Sequence, residues 1–232
     1  MLFNILLILG GYILGSAPHL ILLAKIRHVN LDGDFHQDLW QRAGKVTGVL
    51  GVVGEFVKGA LPVLAGKALD FDITIVAAAG LAAVCGQMWP VFSRFDGEKG
   101  NSIAMAMVIA LTPIVGLIGL IPVIVALIIR MVPRLTAKAG SGGKKAVIGG
   151  PYSRSLPLGM AICFLVIPIA AWYLEEPGEI VWCGVALFLL IMLRRLTAGL
   201  RPDLNRGGDV KGIIVRRLLY DRATVEWRQG DM

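Results

Sequence analysis

Four residues between two long apolar stretches, Gly97-Glu98-Lys99-Gly100, set a charged, glycine-flanked lysine just ahead of a segment that opens as a helix near Asn101. Glycines let successive backbone N–H groups turn toward an anion. A helix N-terminus adds unpaired donors and the positive end of its dipole, and Lys99 adds a full charge. The chemistry that suits such a seat is phosphate binding; the same residues also make an ordinary tight loop at a membrane face. Glu55 and Lys58 stand three apart in "GEFVKGALPV" and share a helix face. Charges inside an apolar run turn toward the protein interior or a polar cavity, so the two form either a structural ion pair or part of a polar substrate site. Ser16 and His19, in "GSAPHL", are polar points in the first apolar run, where Pro18 kinks the helix. Ser16 is open to a packing or a site-lining role. Asp32, Asp34, His36, Asp38 and Glu98 form a further polar set. A carboxylate there, or His36, could serve as a general base. The set could instead hold a divalent cation that bridges to phosphate, or be a solvated acidic loop.

These residues are carried by elements built for lipid. The chain has 232 residues, 56% hydrophobic and 17% charged, with a mean hydropathy of +0.73. A soluble domain of that length could not bury so much apolar surface. Several runs approach the ~20 apolar residues that cross a bilayer. The run from Leu2 to Ala24 lacks a basic start and is too long for a signal-peptide core, so it reads as a retained span. Cys85, Cys163 and Cys183 all lie in apolar runs and form neither a metal-binding spacing nor a disulfide framework. The net charge of +7 is concentrated in loops and tail, which reads as a topology signal rather than a nucleic-acid surface.

The apolar runs are 2–26, 46–66, 72–93, 101–131, 154–173 and 178–193. Basic residues gather at 25–45 (Lys25, Arg27, Arg42, Lys45), at 130–153 (Arg130, Arg134, Lys138, Lys144, Lys145) and from Arg194 onward. The 174–180 connection carries Glu175, Glu176 and Glu179 and no basic residue. All basic segments share the inner side only if 101–131 is a hairpin rather than one pass. Thr112-Pro113 is the break that would make it so, with legs near 101–112 and 115–131, the first spanning only ~18 Å. The expectation is an all-α polytopic membrane bundle of about seven transmembrane helices, one of them short, with the N-terminus out and the C-terminus in. Residues 1–200 form the membrane domain and 201–232 a basic cytoplasmic tail. The stretch "KAGSGGKKAVIGG" is either a flexible inner linker or a phosphate-contacting lid, and it is no Walker loop, since no Ser or Thr follows its lysine pair. In the tail, "GIIVRRLLYDRATVEW" suits either an interfacial helix on an anionic leaflet or a small docked cap.

Four blocks, in order and at matching spacing from about residue 10 to 204, resemble the integral-membrane, acyl-phosphate-dependent glycerol-3-phosphate acyltransferases. "GSAPHLILLAK" is similar to their "GSIPFGLLIAK", and "EFVKGALPV" to "DILKGALPV". "GQMWPVFSRFDGEKG" resembles "GHxxPVFxxFxGGKG", and "RRLTAGLRPDL" resembles "RRLLAGTEPKI". The resemblance implies a seven-helix bundle that transfers a fatty acyl group from acyl phosphate to the 1-hydroxyl of glycerol-3-phosphate, giving lysophosphatidic acid for phospholipid synthesis. It implies Gly97, Lys99, Gly100 and Arg195 as substrate phosphate-binding residues, beside Ser16, Glu55 and Lys58 as polar lining. It implies no cofactor, no metal and no acyl carrier.

The chain departs from the pattern at several points. The first inner loop, "NLDGDFHQDLWQ", stands where the family has "GSGNxGATN", with Leu31, Asp38 and Gln41 at polar family positions. Gln87 stands for the family histidine, Glu98 for its second glycine, Leu189 and Met192 for polar residues of "HxxNIxRL", and Arg201 for a glutamate. The middle block "YVSLSS" is echoed by "YSRSLP", with Tyr152 and Ser155. No catalytic residue is assigned by the resemblance; His36 and Asp38 are the candidates. The expected setting is the plasma membrane of a bacterium, as a multi-pass monomer that meets acyl phosphate, glycerol-3-phosphate and membrane lipid but no nucleic acid. The alternatives are an acyltransferase with another acceptor, and a catalytically impaired paralogue that binds lipid or a membrane partner.

Overall fold

The computed structural model describes residues 1–31, 35–140, 155–205 and 209–221. Asp32, Asp34, Tyr152 and most of the glycine-rich stretch from Lys138 lie outside the described residues, as do residues 222–232. Helices α1 (Leu2–Ser16) and α2 (His19–Ile26) make the first pass. A short α3 (Phe35–Asp38) and a π turn (Leu39–Ala43) lead into α4 (Lys45–Ala68). Then come α5 (Ile73–Met88), α6 (Asn101–Leu111), α7 (Pro113–Gly140), α8 (Ser155–Tyr173) and α9 (Gly178–Thr197), followed by α10 (Leu200–Asn205) and α11 (Val210–Tyr220). Among the described residues there is no strand. Six segments are long and apolar enough to cross a membrane, and Asn101–Leu111 is a shorter apolar helix. The all-helical membrane bundle expected from composition is what the chain forms.

Proline chemistry sets two of the breaks. The first pass interrupts at Ala17-Pro18, where Ala17 takes φ −58° and ψ 124° and helix resumes at His19. The second break is the turn at Thr112 (φ −145°, ψ 96°) ahead of Pro113. Beyond it the chain doubles back. Gly116 lies so close to Ile109 that a Cβ would sit 3.0 Å from that residue's Cα. Seven residues of straight helix would separate them by ~10 Å, so the hairpin read from the sequence is formed.

Small residues let the helices close on one another, as membrane interiors require without a hydrophobic drive between spans. A Cβ on Gly11 or Gly15 of α1 would fall 2.4 or 2.0 Å from the carbonyl oxygens of Ala79 and Ala83 on α5. A Cβ on Gly59 of α4 would meet the Ile103 carbonyl of α6 at 2.2 Å. The core lies between α5, α6, α8 and α9, where Met88, Ile103, Met107, Phe164, Leu187 and Ile191 are fully buried. Outward-facing Leu6, Leu9, Leu64, Ile121 and Ile169 are exposed, as lipid contact demands.

The two ends of the bundle differ in charge. At one end Lys67 donates to the Ala110 and Leu111 carbonyls at 2.9 and 2.5 Å, and the Thr112 hydroxyl donates to Glu176 at 2.5 Å. Exposed Trp172, Tyr173 and Trp182 sit near this end, the amphipathic rings expected at a membrane–water boundary. The opposite end gathers α3, the Gly97–Gly100 loop, the last turn of α9 and the docked α11. Of the two readings of the tail, the docked cap describes α11. Arg195 donates to the Leu218 carbonyl at 3.0 Å, while Arg217 is buried and pairs with Asp203 at 2.6 Å.

Candidate functional site

The site is built where α5 ends. After Met88 the chain passes Pro90 and one 3-10 turn at Val91–Ser93, then Arg94 and Phe95 take left-handed φ values of 53° and 62°. This doubles the loop back onto its own helix, so that the Glu98 amide donates to the Gln87 carbonyl at 3.1 Å. Gly97 has no alternative here: a Cβ would lie 2.2 Å from that same carbonyl and 2.4 Å from Pro90 Cδ. Gly100, at φ +72°, is the N-cap of α6 and places no side chain over its first amides. Those amides are the donors that a bound anion would meet.

A polar chain runs inward from the loop. His36 Nε2 lies 3.0 Å from Glu55 Oε2 and 3.5 Å from Glu98 Oε2. Gln87 donates to Glu55 Oε1 at 2.9 Å and accepts from Lys58 through its own oxygen. Lys58 also donates to the Ala17 carbonyl at 2.9 Å, which at the Pro18 break accepts from the His19 amide as well, also at 2.9 Å. His19 completes the chain, 3.5 Å from Lys58 through Nδ1 and 3.0 Å from the Gly51 carbonyl through Nε2. Ser16 donates to the Tyr12 carbonyl at 2.8 Å, and it lines a cleft with His19, Gln87, Gly97 and Glu98. Burial pulls the His36 imidazole down in pKa, but hydrogen bonds and charge from Glu55 and Glu98 outweigh it and raise it to about 10. Burial, together with the neighbouring Glu55 charge, raises Glu98 against the opposing pull of His36.

The expected phosphate-binding residues separate into two groups. Gly97, Lys99 and Gly100 form the loop as anticipated. Lys99 reaches across to Asp221, just past α11, at 2.5 Å; the lysine side chain is 44% exposed and the aspartate 9%. Arg195 does not face this loop. It is buried and donates to the Leu218 and Pro157 carbonyls, both at 3.0 Å, fastening α11 and the start of α8 to α9. The arginine that reaches the loop is its neighbour Arg194. It donates to the Gly97 carbonyl and, at 3.4 Å, to the Glu98 carbonyl, and lies 5.8 Å above the Trp89 ring. Of the two candidate catalytic residues, His36 enters the cluster, whereas Asp38 is turned to Arg42 one helical turn on, at 3.4 Å. Glu55 and Lys58 are both buried, joined through Gln87 rather than directly. Gln87, His19, Arg194 and Asp221 are the participants that the sequence reading did not place in the site.

Beside the polar chain, on the lipid-facing side of the same helix, α4 and α6 enclose an apolar groove of about 680 Å³. Val52, Val53, Phe56, Val57, Ala60 and Leu64 line it along α4, over a length of ~18 Å. Phe56 follows Glu55 directly, so the groove passes alongside the charged cluster.

The chain matches the family model described as glycerol-3-phosphate acyltransferase over residues 5–200. A glycerol-3-phosphate acyltransferase of Rubrobacter xylanophilus is 40% identical over 119 residues, covering 49% of this chain and 60% of that protein. One from Geobacter metallireducens is 38% identical over 123 residues, and the match spans 63% of its length. Glycerol-3-phosphate acyltransferase 4 of Dehalococcoides mccartyi is 24% identical across 94% of this chain and 88% of its own. Two crystal structures of PlsY (YgiH), an integral membrane glycerol 3-phosphate acyltransferase, superpose on 88% of this chain and 90% of theirs. The lysophosphatidic acid form is 26% identical with a TM-score of 0.66, and the glycerol 3-phosphate form 25% identical with a TM-score of 0.61. The matched span runs from α1 to the end of α9 and includes the doubled-back loop, the buried Glu55–Gln87–Lys58 chain and the groove beside them: the chain belongs to the glycerol-3-phosphate acyltransferase family.

Proposed function

We propose that this protein transfers a fatty acyl group from acyl phosphate to the 1-hydroxyl of glycerol-3-phosphate, releasing phosphate and lysophosphatidic acid for phospholipid synthesis. It does so as a monomer in a bacterial plasma membrane. The observation that carries this reading is the adjacency of an anion seat and an acyl-sized groove on two faces of α4. The Gly97–Gly100 loop, Lys99 and the open α6 N-terminus supply donors and positive charge for phosphate. The apolar groove between α4 and α6 takes the acyl chain. In this reading the site end, with Lys25, Arg27, Arg42, Lys45 and Arg130, is cytoplasmic, in keeping with the positive-inside rule, and a soluble phosphorylated acceptor is available there.

The residues divide the task by geometry. Lys99 is the mobile cation of the seat, released from Asp221 when a phosphate arrives. Arg194 holds the loop through the Gly97 and Glu98 carbonyls. Lys58 and Gln87 set the position of Glu55 behind it. Arg195 keeps α8, α9 and α11 together. His36 offers no free ring nitrogen to a hydroxyl: Nε2 is engaged by two carboxylates, and Nδ1 is enclosed without a hydrogen-bond partner among the described residues.

The test is turnover by purified protein in detergent or vesicles, given acyl phosphate and radiolabelled glycerol-3-phosphate. Lysophosphatidic acid should accumulate with the wild type and fall to background with Lys99→Ala. A wild type that binds lipid but makes no product from either substrate pair would favour the impaired paralogue.

A further inference from the structure

We propose that His36, Glu55 and Glu98 form a site for one divalent transition-metal ion, of the Mn²⁺ or Zn²⁺ kind, at the mouth of the phosphate seat. The three side chains come from separate segments: α3, the first half of α4, and the loop after α5. One ligand atom from each lies within 4.8 Å of the other two. His36 Nε2 sits 3.0 Å from Glu55 Oε2 and 3.5 Å from Glu98 Oε2. An ion bonded at ~2.1 Å to nitrogen and oxygen has neighbouring ligand atoms ~3.0–3.4 Å apart, so two edges of a coordination polyhedron are already in place. An imidazole beside two carboxylates suits a first-row transition ion, whereas Mg²⁺ and Ca²⁺ prefer all-oxygen shells.

The surroundings are those of a built site. Glu55, whose side chain is only 4% exposed, has its Oε1 held by Gln87, and Gln87 is held by Lys58. Glu55 also takes a hydrogen bond from Ser102, and its Oε2 is the oxygen turned to His36. Outer-shell bonds of this kind orient ligands and tune affinity. Glu98 is pinned through its backbone, by its own amide to Gln87 and by its carbonyl to Arg194. Glu98 and His36 are 25% and 29% exposed, and Glu98 lines the cleft that also holds Gly97. Three protein ligands and an open side describe a site that keeps a position for solvent or substrate.

Electrostatics give the site a purpose. His36 in its charged form offsets only one of the two carboxylates, and the other would oppose the phosphate that Lys99 attracts. A divalent ion that takes the place of the His36 proton would cancel both carboxylate charges and offer its open position to a phosphate oxygen. Glu98 stands where the resembled pattern has glycine, and His36 lies in the loop that departs most from it. The ion site is therefore a feature of this chain, and it departs from the metal-free expectation above. Its binding part stands on geometry alone; the bridging part rests on the acyltransferase reading.

The experiment uses the full chain in detergent micelles, stripped of metal with a chelator. Mn²⁺ binding is followed by loss of the free-ion paramagnetic resonance signal, and Zn²⁺ binding by calorimetry. The expected result is one ion per chain. His36→Gln and Glu98→Gln should each weaken binding at least ~10-fold, while Glu179→Gln, an exposed acid at the opposite end, leaves it unchanged. Glycerol-3-phosphate should tighten Mn²⁺ binding in the wild type and not in Lys99→Ala. Thermal unfolding of each variant confirms that it is folded. Absence of stoichiometric binding, or binding that both substitutions leave intact, overturns the ion site and leaves a hydrogen-bonded triad. Unchanged affinity with glycerol-3-phosphate overturns the bridge. Ion binding without turnover removes the acyltransferase reading alone, and turnover without ion binding removes this inference alone.

Discussion

Asp221→Asn is the most informative single change, because it isolates the lysine assigned to phosphate without touching that lysine. Asp221 ends α11 with φ 60° and ψ 26°, its amide donating to Arg217 at 2.8 Å. Asparagine tolerates that left-handed conformation, so the helix end is kept while the charge is lost. In the wild type, a substrate phosphate must displace the carboxylate 2.5 Å from Lys99 Nζ. The lysine is 44% exposed, so solvent screens the pair and its worth falls in the surface range of ~0.2–1 kcal/mol. Removing that competition should lower KM for glycerol-3-phosphate by about 1.4- to 5-fold at low salt, with kcat unchanged. The gain should shrink toward 1 M salt, where the screening length falls to ~3 Å. The assay is initial-rate turnover across acceptor concentration, at two ionic strengths, with Lys99→Met alongside. KM that stays put or rises in Asp221→Asn would refute the competition. If Lys99→Met also leaves KM unmoved, the lysine has no role in holding phosphate.

Other changes test the frame of the site. Gly97→Ala places a Cβ 2.2 Å from the Gln87 carbonyl and 2.4 Å from Pro90; overpacking costs ~1–3 kcal/mol, and turnover should fall at least ~10-fold while the unfolding midpoint drops by about 2–12 °C. Lys58→Met leaves the Gln87 oxygen without its donor, while the Ala17 carbonyl keeps the His19 amide; at ~1–3 kcal/mol for the buried acceptor, the thermal midpoint should drop in a melting assay and Lys58→Arg should restore part of it. Ala60→Trp fills the groove between α4 and α6, and competition between acyl phosphates of different length should shift toward the shorter donor. Gly15→Val drives a side chain into the Ala83 carbonyl, 2.0 Å from its Cβ, and should abolish a monodisperse folded peak in size-exclusion chromatography.

The parts legible in the sequence are those with a local cause. Pro18 and Thr112-Pro113 break helices because of what proline lacks at its own position, and both breaks are where the residues put them. Glu55 and Lys58 had to turn inward because neither could face lipid. What could not be read depends on rotation and on distance along the chain. Arg194 and Arg195 are neighbours on α9, ~100° apart around its axis; only the packed orientation of the helix sends one to the Gly97 loop and the other to Leu218. His36, Glu55 and Glu98 are joined by no periodicity, since they meet through three different turns. Gln87 reads as a lost histidine in the sequence, yet in the fold it is the bridge between Lys58 and Glu55. Asp221 belongs to a tail whose docking on α8 and α9 follows from Arg195 and Arg217 rather than from its own amphipathic pattern.

The short helix α6 explains why charged residues lie so far inside an apolar bundle. Both α4 and α6 run from the site end to the far end. Lys67 of α4 is level with Leu111 of α6 through its hydrogen bond, and Gly59 is level with Ile103 through the close crossing there. The interval between those levels is the same on each helix. It follows that the start of α6, at Gly100 and Asn101, lies level with Phe56 and Val57, just past Glu55. From Glu55, α4 continues back to Lys45, another ~15 Å. Nothing in α6 accompanies it, because α6 has 11 residues against the 24 of α4. The loop from α5 and α3 fill that space instead, and they bring Lys99, Glu98 and His36 down with them. A truncated helix therefore lowers the Gly97–Gly100 loop to the depth of the apolar groove. Under the proposed function, a water-soluble phosphate and a lipid-borne acyl group would meet there without either leaving its own solvent entirely. The buried Lys58–Gln87–Glu55 chain is the electrostatic lining of that well, and its partners on Ala17 exist because Pro18 opened the helix opposite it.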